Sequence, residues 1–221
     1  MQTKTSVKLF SLVLALMLMV SCLAGCGKSE SSSQAETAAE ATTVAPAATS
    51  DSAFEYTGRK TGIVIDVDSY GTIEADLYDD LAPLTVENIK RLINDKFYDG
   101  LTFHRIIKDF MIQGGDPKGD GTGGAPDKVK GEFAQNGVEN NLSHTRGVLS
   151  MARSQDPDSA SSQFFIVHKD STYLDGQYAA FGKVTKGMEV VDEIAEKTPV
   201  TDGNGTVLKS NQPVIKSIRL K

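Results

Sequence analysis

The chain has 221 residues, which is enough for one domain with appended segments. Its apolar content of 39% and charged content of 24% are typical of a globular protein that buries an adequate core. The formal net charge of -6 and the lack of a basic stripe disfavour a nucleic-acid-binding protein, so we expect no nucleic acid among its partners.

The N-terminus has the pattern of a targeting segment. Lys4 and Lys8 supply a positive end, and residues 9–20 form an apolar run of signal-peptide length that is short for a membrane-spanning helix. The sequence Leu-Ala-Gly-Cys that ends at Cys26 resembles the lipobox of bacterial lipoproteins, in which the cysteine is lipidated after cleavage. We therefore predict a lipoprotein signal peptide over residues 1–25 and a lipid on Cys26. An ordinary secretory signal with a chance cysteine and an uncleaved membrane anchor are the alternatives.

Lipidation of Cys26 would decide where the protein works. The lipid would anchor the chain to a bacterial cell membrane, facing outside the cytoplasm, and the membrane would be contacted through this lipid only. Because Cys22 would leave with the signal peptide, the mature chain would keep no free thiol. We therefore expect neither a disulfide nor a cysteine nucleophile nor a cysteine-bound metal.

Residues 26–54 are predicted to form the lipidated cysteine and a disordered linker. Ser, Ala, Thr and Glu dominate this stretch, and no aromatic residue occurs between Cys26 and Phe54. Such a composition cannot bury enough apolar surface to fold. As a flexible coil it would span about 30 Å on average, and the folded domain would occupy residues 55–221.

The elements predicted in the folded domain are mostly strands. Residues 62–68 and 72–78 flank a turn that ends in Gly71, which predicts a β-hairpin. Pro83 suits the first position of a helix, and apolar residues recur after it at helical spacing. Further strands are predicted at residues 101–107, 110–113, 147–152, 163–168, 178–184 and 214–220, with a second helix at 188–196. Many short strands with two helices favour a closed or nearly closed antiparallel barrel with helical caps.

The hairpin of the third and fourth predicted strands carries the strongest candidates for chemistry. Alternation along the strand predicts Phe103, Arg105 and Ile107 on one face, which places a cation among large apolar groups. Gln113 is expected close to this cation, whereas His104 faces the other way in a packing or hydrogen-bonding role. An ordinary hairpin with Arg105 in solvent is the alternative.

Three other kinds of site are disfavoured. Residues 114–124 are rich in Gly and Asp but lack the Lys-Ser or Lys-Thr of a phosphate-binding loop, so they predict a solvent loop. His144 and His168 lack mutual ligand spacing, and no metal site is expected. Ser162, His168 and Asp175 would supply the residue types of a hydrolase triad, but no nucleophile-elbow pattern surrounds the serine.

Five groups of residues, in this order, resemble the signature of the cyclophilin family. They are 103–107 with 110–116 (FHRII and FMIQGGD), 147–152 (GVLSMA), 162–166 (SQFFI), 174–176 (LDG) and 181–184 (FGKV). The resemblance covers residues 61–221 and implies a mainly β fold, a closed eight-stranded antiparallel β-barrel capped by two α-helices. It also implies peptidyl-prolyl cis–trans isomerase activity, which requires no cofactor and no metal.

The resemblance transfers site roles to individual residues. The catalytic arginine of the family falls on Arg105, with Gln113 beside it. The proline pocket falls on Phe110, Met111, Phe165 and Leu174, and the groove for flanking residues falls on Ala152, Arg153 and Gln163. Tyr173 and Tyr178 complete the expected substrate-binding set, and these two residues and Arg153 depart from the best-known eukaryotic members. Because Tyr173 stands where those members carry a tryptophan that helps to bind cyclosporin, we expect isomerase activity with weaker cyclosporin binding.

The partners implied are proline-containing polypeptides that fold outside the cytoplasm, handled by a monomeric enzyme. A non-catalytic module or chaperone that holds proline segments at the cell surface is the alternative. The presence of Arg105 favours catalysis, because a simple binder would be free to lose it. A solute-binding lipoprotein is disfavoured, since the sequence shows no two-lobed α/β pattern.

Overall fold

The computed structural model describes residues 54–221. The predictions of a signal peptide, of a lipid on Cys26 and of a linker up to residue 53 lie outside the described residues. Ten strands and helices form the domain, in the order β1 (Lys60–Val67), β2 (Gly71–Tyr78), α1 (Pro83–Asn94), β3 (Phe103–Ile107), β4 (Met111–Gly114), β5 (Val148–Met151), β6 (Phe164–Val167), β7 (Ala180–Lys186), α2 (Met188–Lys197) and β8 (Ile215–Leu220). In the part of the chain that the structure describes, neither helix combines the length and apolar character needed to cross a bilayer.

The two helices form where the sequence predicts them and bury one face each. Pro83 occupies the start of α1, where its missing N–H costs no hydrogen bond. The buried residues recur every three or four positions, as an amphipathic helix requires: Val86, Ile89, Leu92 and Ile93 on α1, and Val190, Val191, Ile194 and Ala195 on α2. Helix α1 packs against β2 and β8, and α2 packs against β2, β3 and β4. Both helices thereby cover the interior of the curved sheet.

The eight strands form one antiparallel sheet in the order β3-β4-β6-β5-β7-β2-β1-β8. The prediction of a closed barrel is wrong, because the sheet is an open half-barrel whose end strands β3 and β8 share no ladder. Directly before these two strands, Thr102 and Val214 form an isolated bridge. The free side of β3 is occupied instead by a loop segment. The Ile106 N–H donates to the Gly205 carbonyl at 2.8 Å, and the Val207 N–H donates to the His104 carbonyl at 3.0 Å.

A register shift in β3 changes which residues share a face. The pairing with β4 shifts between Phe103 and Arg105, which is the pattern of a β-bulge. Phe103 consequently lies in the main core with Ile106, whereas Arg105 and Ile107 point to the other side. The prediction that Phe103 shares a face with Arg105 is therefore wrong, because one extra residue exchanges the faces of a strand.

Two apolar clusters lie on opposite faces of the sheet. The inner cluster fills the space between the sheet and the helices and includes Ile112, Leu149 and Ile166. The outer cluster includes Met111, Phe165, Val167 and Leu174, contributed in part by the same strands. Since successive residues of a strand point to opposite faces, β4 and β6 supply both clusters at once. The predicted site residues belong to the outer face.

Candidate active site

Strand register brings the central site residues into one row. Arg105 on β3 stands opposite Gln113 on β4, and Gln113 stands opposite Phe165 on β6. Directly paired residues of antiparallel strands project on the same face, with their Cβ atoms about 4.5–5.5 Å apart. Three adjacent strands thus present a cation, an amide and an aromatic ring side by side.

These side chains line a pocket of about 120 Å³ on the outer face. Its lining consists of Arg105, Phe110, Met111, Gln113, Ala152, Arg153, Phe165, Leu174 and Tyr178. Met111, Phe165 and Leu174 are themselves largely buried and make this lining apolar. The pocket is therefore a small, largely apolar recess lined also by two guanidinium groups and one amide group, a size and chemistry that suit a single apolar ring.

Arg105 is held by three groups of the protein. Its Nε donates to the Asn204 carbonyl at 2.8 Å, and its Nη1 donates to Oε1 of Gln113 at 3.1 Å and lies 3.9 Å from Sδ of Met111. Among the described residues, no acceptor faces Nη2. Burial lowers the pKa of Arg105, but an arginine keeps its charge at any physiological pH. The guanidinium is thus oriented beforehand and retains N–H groups for a ligand.

A chain of amide side chains extends from Arg105 to the neighbouring loop. Gln113 accepts from Arg105 through Oε1, and its Nε2 donates to Oε1 of Gln163 at 2.9 Å. Gln163 in turn donates to the carbonyl oxygens of Gly121 and Gly123, at 3.1 and 2.7 Å. Gln163 therefore does not line the pocket itself but fixes the residue that orients the arginine.

The predicted solvent loop after β4 is exposed at residues 117–118 and 120–122 but is built around one buried carboxylate. Asp116 is 1% exposed and accepts the N–H groups of Lys118, Asp120 and Gly121. Although burial alone would raise the pKa of Asp116, these hydrogen bonds hold it below its usual value. The loop is thereby fixed as a wall of the site, a role that its Gly- and Asp-rich composition did not indicate.

A second, more polar recess of about 310 Å³ adjoins the first. The two share Gln113, Ala152 and Arg153, and the second is otherwise lined by Gly121, Thr122, Gly123, Lys128, Ser154, Ser159, Ser161 and Gln163. An extended chain that places one residue in the apolar pocket would therefore place its neighbours over Ala152 and Arg153.

The three residues that depart from the best-known eukaryotic members occupy different positions around the pocket. The guanidinium carbon of Arg153 lies 4.6 Å from the ring centre of Tyr178 and 5.2 Å from that of Phe133, and the group donates to the Gln177 carbonyl. Tyr178 lines the pocket and meets the Phe165 ring edge-on at 6.1 Å. Tyr173 is 64% exposed and does not line the pocket, although its ring lies 6.0 Å from that of Phe110.

The residues of the disfavoured hydrolase triad are not brought together. Ser162 donates to the Gly115 carbonyl, and His168 faces Asp192 at 3.2 Å. Asp175 bonds His144 instead. No group of three or more metal-ligating side chains occurs within residues 54–221. His104 is buried at 4% exposure on the side away from Arg105, and neither of its ring nitrogens has a partner among the described residues.

Two features of the site could not be found from the sequence. One is the Asn204 carbonyl that holds Arg105, since a backbone oxygen leaves no mark in a side-chain pattern. The other is a network beneath the pocket, in which the buried residues His144 and Ser150 connect to Asp175, whose side chain is 37% exposed. The sequence LDG marked the region of Asp175, but its partner lies 31 positions away and carried no signal of pairing.

Comparison with known proteins agrees with this architecture. A family model described as "Cyclophilin type peptidyl-prolyl cis-trans isomerase/CLD" matches residues 63–220. The chain is 42% identical over 156 residues to a peptidyl-prolyl cis-trans isomerase of Acinetobacter baylyi, covering 68% of this chain and 81% of the relative. It is 43% identical over 150 residues to peptidyl-prolyl cis-trans isomerase B of Bacillus subtilis, covering 68% of this chain and 95% of the relative.

Solved structures give the same result. A crystal structure of a cyclophilin-type peptidyl-prolyl cis-trans isomerase from Cryptosporidium parvum matches with a TM-score of 0.65 and 30% identity, over 74% of this chain and 98% of that one. A structure of the same protein in the presence of the dipeptide Ala-Pro matches with a TM-score of 0.64 and 32% identity, over 72% of this chain and 98% of that one. The family match, the relatives and the eight-stranded fold with two helices together establish that this chain belongs to the cyclophilin-type peptidyl-prolyl cis–trans isomerases.

Proposed function

We propose that this chain accelerates rotation about X–Pro bonds in polypeptides that fold outside the cytoplasm, with the proline ring bound in the apolar pocket and Arg105 acting on the twisted amide. The observation that carries this proposal is the position of the Arg105 guanidinium at the edge of a pocket sized for one ring and lined by Phe110, Met111, Phe165 and Leu174. The C. parvum relative in the presence of Ala-Pro supports a proline-containing ligand for this site.

The reaction requires no bond to be made or broken. Rotation about the X–Pro bond interrupts amide resonance, at a barrier of about 18–20 kcal/mol, and takes tens of seconds or more without a catalyst. The twisted amide is less polar across its C–N bond than the planar form, so an apolar pocket favours it. Its nitrogen also regains a lone pair that the planar amide lacks.

Arg105 is placed to use this difference. An N–H group of Arg105 above the proline ring would donate to the imide nitrogen only in the twisted state, which stabilises the transition state more than the ground state. Because Asn204 and Gln113 already fix the guanidinium, little reorganisation is needed when the substrate binds. In this arrangement the same group would also be available to the prolyl carbonyl.

The size of the expected rate acceleration requires more than one stabilising effect. An acceleration of five orders of magnitude corresponds to about 7 kcal/mol, at about 1.4 kcal/mol for each factor of ten. A hydrogen bond from a charged donor contributes about 1.5–3 kcal/mol. The apolar pocket and the positioning of the substrate must supply the remainder.

The decisive assay is proline-limited refolding, or peptide cis–trans exchange, with wild type and Arg105→Ala. We expect wild type to accelerate exchange and the variant to lose most of kcat while keeping its fold. Arg59→Ala is the matched control, because Arg59 pairs with Asp80 on the surface and lies outside the pocket. Near wild-type turnover by Arg105→Ala would rule out its catalytic role. A folded wild type that binds proline peptides without accelerating exchange would indicate the non-catalytic module.

The proposed location outside the cytoplasm is supported by the sequence around Cys26. If this cysteine carries the lipid, Cys26→Ser should release the protein from the membrane fraction of cells that process bacterial lipoproteins. Metabolic labelling with a fatty acid and fractionation of wild type and variant test this directly. Equal amounts of both proteins in the membrane fraction would exclude a lipid anchor at this position.

A further inference from the structure

His144 lies buried behind the proline pocket with a hydrogen bond at each ring nitrogen. Its Nδ1 is 2.8 Å from Oδ1 of Asp175, and its Nε2 is 2.9 Å from Oγ of Ser150. The residue types are those of a hydrolase triad, but Ser150 is fully buried, at 0% exposure, and His144 is 1% exposed. Since no substrate reaches this serine, the network has no part in hydrolysis and requires another explanation.

The protonation pattern of the network follows from its partners. Besides the imidazole of His144, the Asp175 carboxylate accepts hydrogen bonds from the backbone N–H of His144 at 2.7 Å and from the Ser143 hydroxyl at 2.6 Å. Burial alone would raise the pKa of Asp175, but these donors hold it below its usual value, so Asp175 is an ionised acceptor. Burial lowers the pKa of His144 and keeps the imidazole neutral. The Nδ1 therefore carries the hydrogen, and Nε2 accepts from the Ser150 hydroxyl.

The network touches two residues that form walls of the pocket, Leu174 and Phe165. Asp175 directly follows Leu174, so its bonds to His144 fix the segment that carries this wall. The His144 ring lies nearly parallel to the ring of Phe165, at 6.1 Å and 18°. Ser150 is also the partner of Phe165 in the ladder between β5 and β6. One buried imidazole thus connects the segment of Leu174 with Phe165, both of which line the pocket.

We propose that His144 is a positioning residue of this enzyme, which through Asp175 and Ser150 sets the separation of Leu174 and Phe165 that the proline ring requires. This inference rests on the function proposed for the pocket. His144 does not touch the substrate. Its effect on the reaction passes through the two walls.

The position of His144 predicts a particular kinetic signature. The walls hold the proline ring in both the ground state and the transition state, so disturbing them removes binding that is equal in the two states. In the full chain, His144→Phe keeps a ring against Phe165 but loses both hydrogen bonds. We expect KM and the Kd for an Ala-Pro-containing peptide to rise about tenfold, the size of one hydrogen bond to a charged group, with kcat within about twofold of wild type.

A milder variant covers the case in which His144→Phe fails to fold. Asp175→Asn keeps the shape of the side chain but removes the charge that fixes the Nδ1–H form, and we expect a rise of about threefold in KM and Kd. Thr85→Val is the matched control. Thr85 lies on α1, outside the pocket lining, and the substitution removes a buried hydrogen bond from its hydroxyl to the Glu132 carboxylate. It should lower the unfolding midpoint and leave KM unchanged.

Nitrogen-15 NMR of the imidazole supplies a readout independent of turnover. Wild type should show the neutral Nδ1–H form, with a shift on addition of the peptide, and Asp175→Asn should lose this pattern. Unchanged KM and Kd in both variants, with only a lower unfolding midpoint, would overturn the inference. A fall in kcat at constant KM would overturn it as well. If wild type binds the peptide but does not isomerise it, the proposed catalysis fails, and the Kd ratios alone decide the role of His144.

Discussion

The inner and outer faces of the same strands show how one sheet serves two purposes. On β6, Ile166 points inward and is fully buried in the main core, while its neighbour Phe165 points outward and lines the pocket. The inner cluster is almost wholly aliphatic and aromatic, whereas the outer one borders Arg105, Gln113 and Tyr178. Adjacent residues of one strand therefore face different demands: packing against helices on one side and binding a ligand on the other.

The largest effect on stability is expected from the inner face. Ile166→Ala removes a fully buried side chain and should lower the free energy of unfolding by about 2–5 kcal/mol, because the surroundings collapse only in part around the cavity. The kcat/KM of the folded fraction should remain within about twofold of wild type. Urea denaturation together with the exchange assay measures both. A variant that unfolds like wild type but isomerises poorly would contradict the division between the faces.

The matched change on the outer face should have the opposite profile. Phe165→Ala takes away one wall of the pocket, and kcat/KM should fall by up to about a hundredfold, because burying such a ring contributes about 1.5–3 kcal/mol. The loss of stability should be smaller than for Ile166→Ala, since the vacated space joins the pocket and admits water. The same two assays decide the matter, and an active Phe165→Ala would remove this ring from the site.

A pH titration compares the two buried histidines, His144 under the outer cluster and His104 against the loop after β4. Burial lowers the pKa of both imidazoles in the folded protein. There is therefore a pH range in which each is still neutral in the folded protein but already charged in the unfolded chain. Between the folded value and the unfolded value near 6.5, the unfolded chain binds more protons, and stability falls as the pH decreases.

Urea midpoints at pH 7.5 and at about pH 5.5 should therefore differ, with the lower midpoint in acid. His144→Phe and His104→Phe should each reduce this difference. A urea midpoint that does not change over this interval would show that folding does not lower the pKa of either imidazole.

The smallest effect is expected at Gln163, which is hydrogen-bonded to Gln113 but does not line the apolar pocket. Gln163→Ala removes the bond to Gln113 and the two bonds to the loop. We expect a rise in KM of a few-fold, because a neutral hydrogen bond contributes about 0.5–1.5 kcal/mol. Titration with an Ala-Pro-containing peptide measures it. A loss as large as that of Phe165→Ala would move Gln163 from support into direct binding.

Much of this arrangement was accessible from the sequence, for physical reasons. Period-two alternation and helical spacing report which side chains are buried, so the strands and both helices were predicted close to their observed positions. The residues that the resemblance assigned to the site include all nine that line the pocket, together with Tyr173 and Gln163, which do not line it.

What the sequence did not indicate depends on backbone groups and distant pairs. The open half-barrel follows from the segment around Gly205 occupying the side of β3, and backbone hydrogen bonds of this kind have no residue pattern. The bulge after Phe103 reverses a face without any Gly or Pro to mark it. The bond between His144 and Asp175 joins residues far apart in the chain, which single-sequence periodicity cannot detect.

Under the proposed function, the outward direction of the pocket would determine which prolines can be bound. The pocket opens on the outer face of the sheet and continues into the second, larger recess past Ala152 and Arg153. A polypeptide can therefore lie across the surface from the side, and neither of its ends has to be threaded through a channel. A proline in the middle of a long, partly folded client would then be as accessible as one near a terminus, provided that a few residues around it are extended.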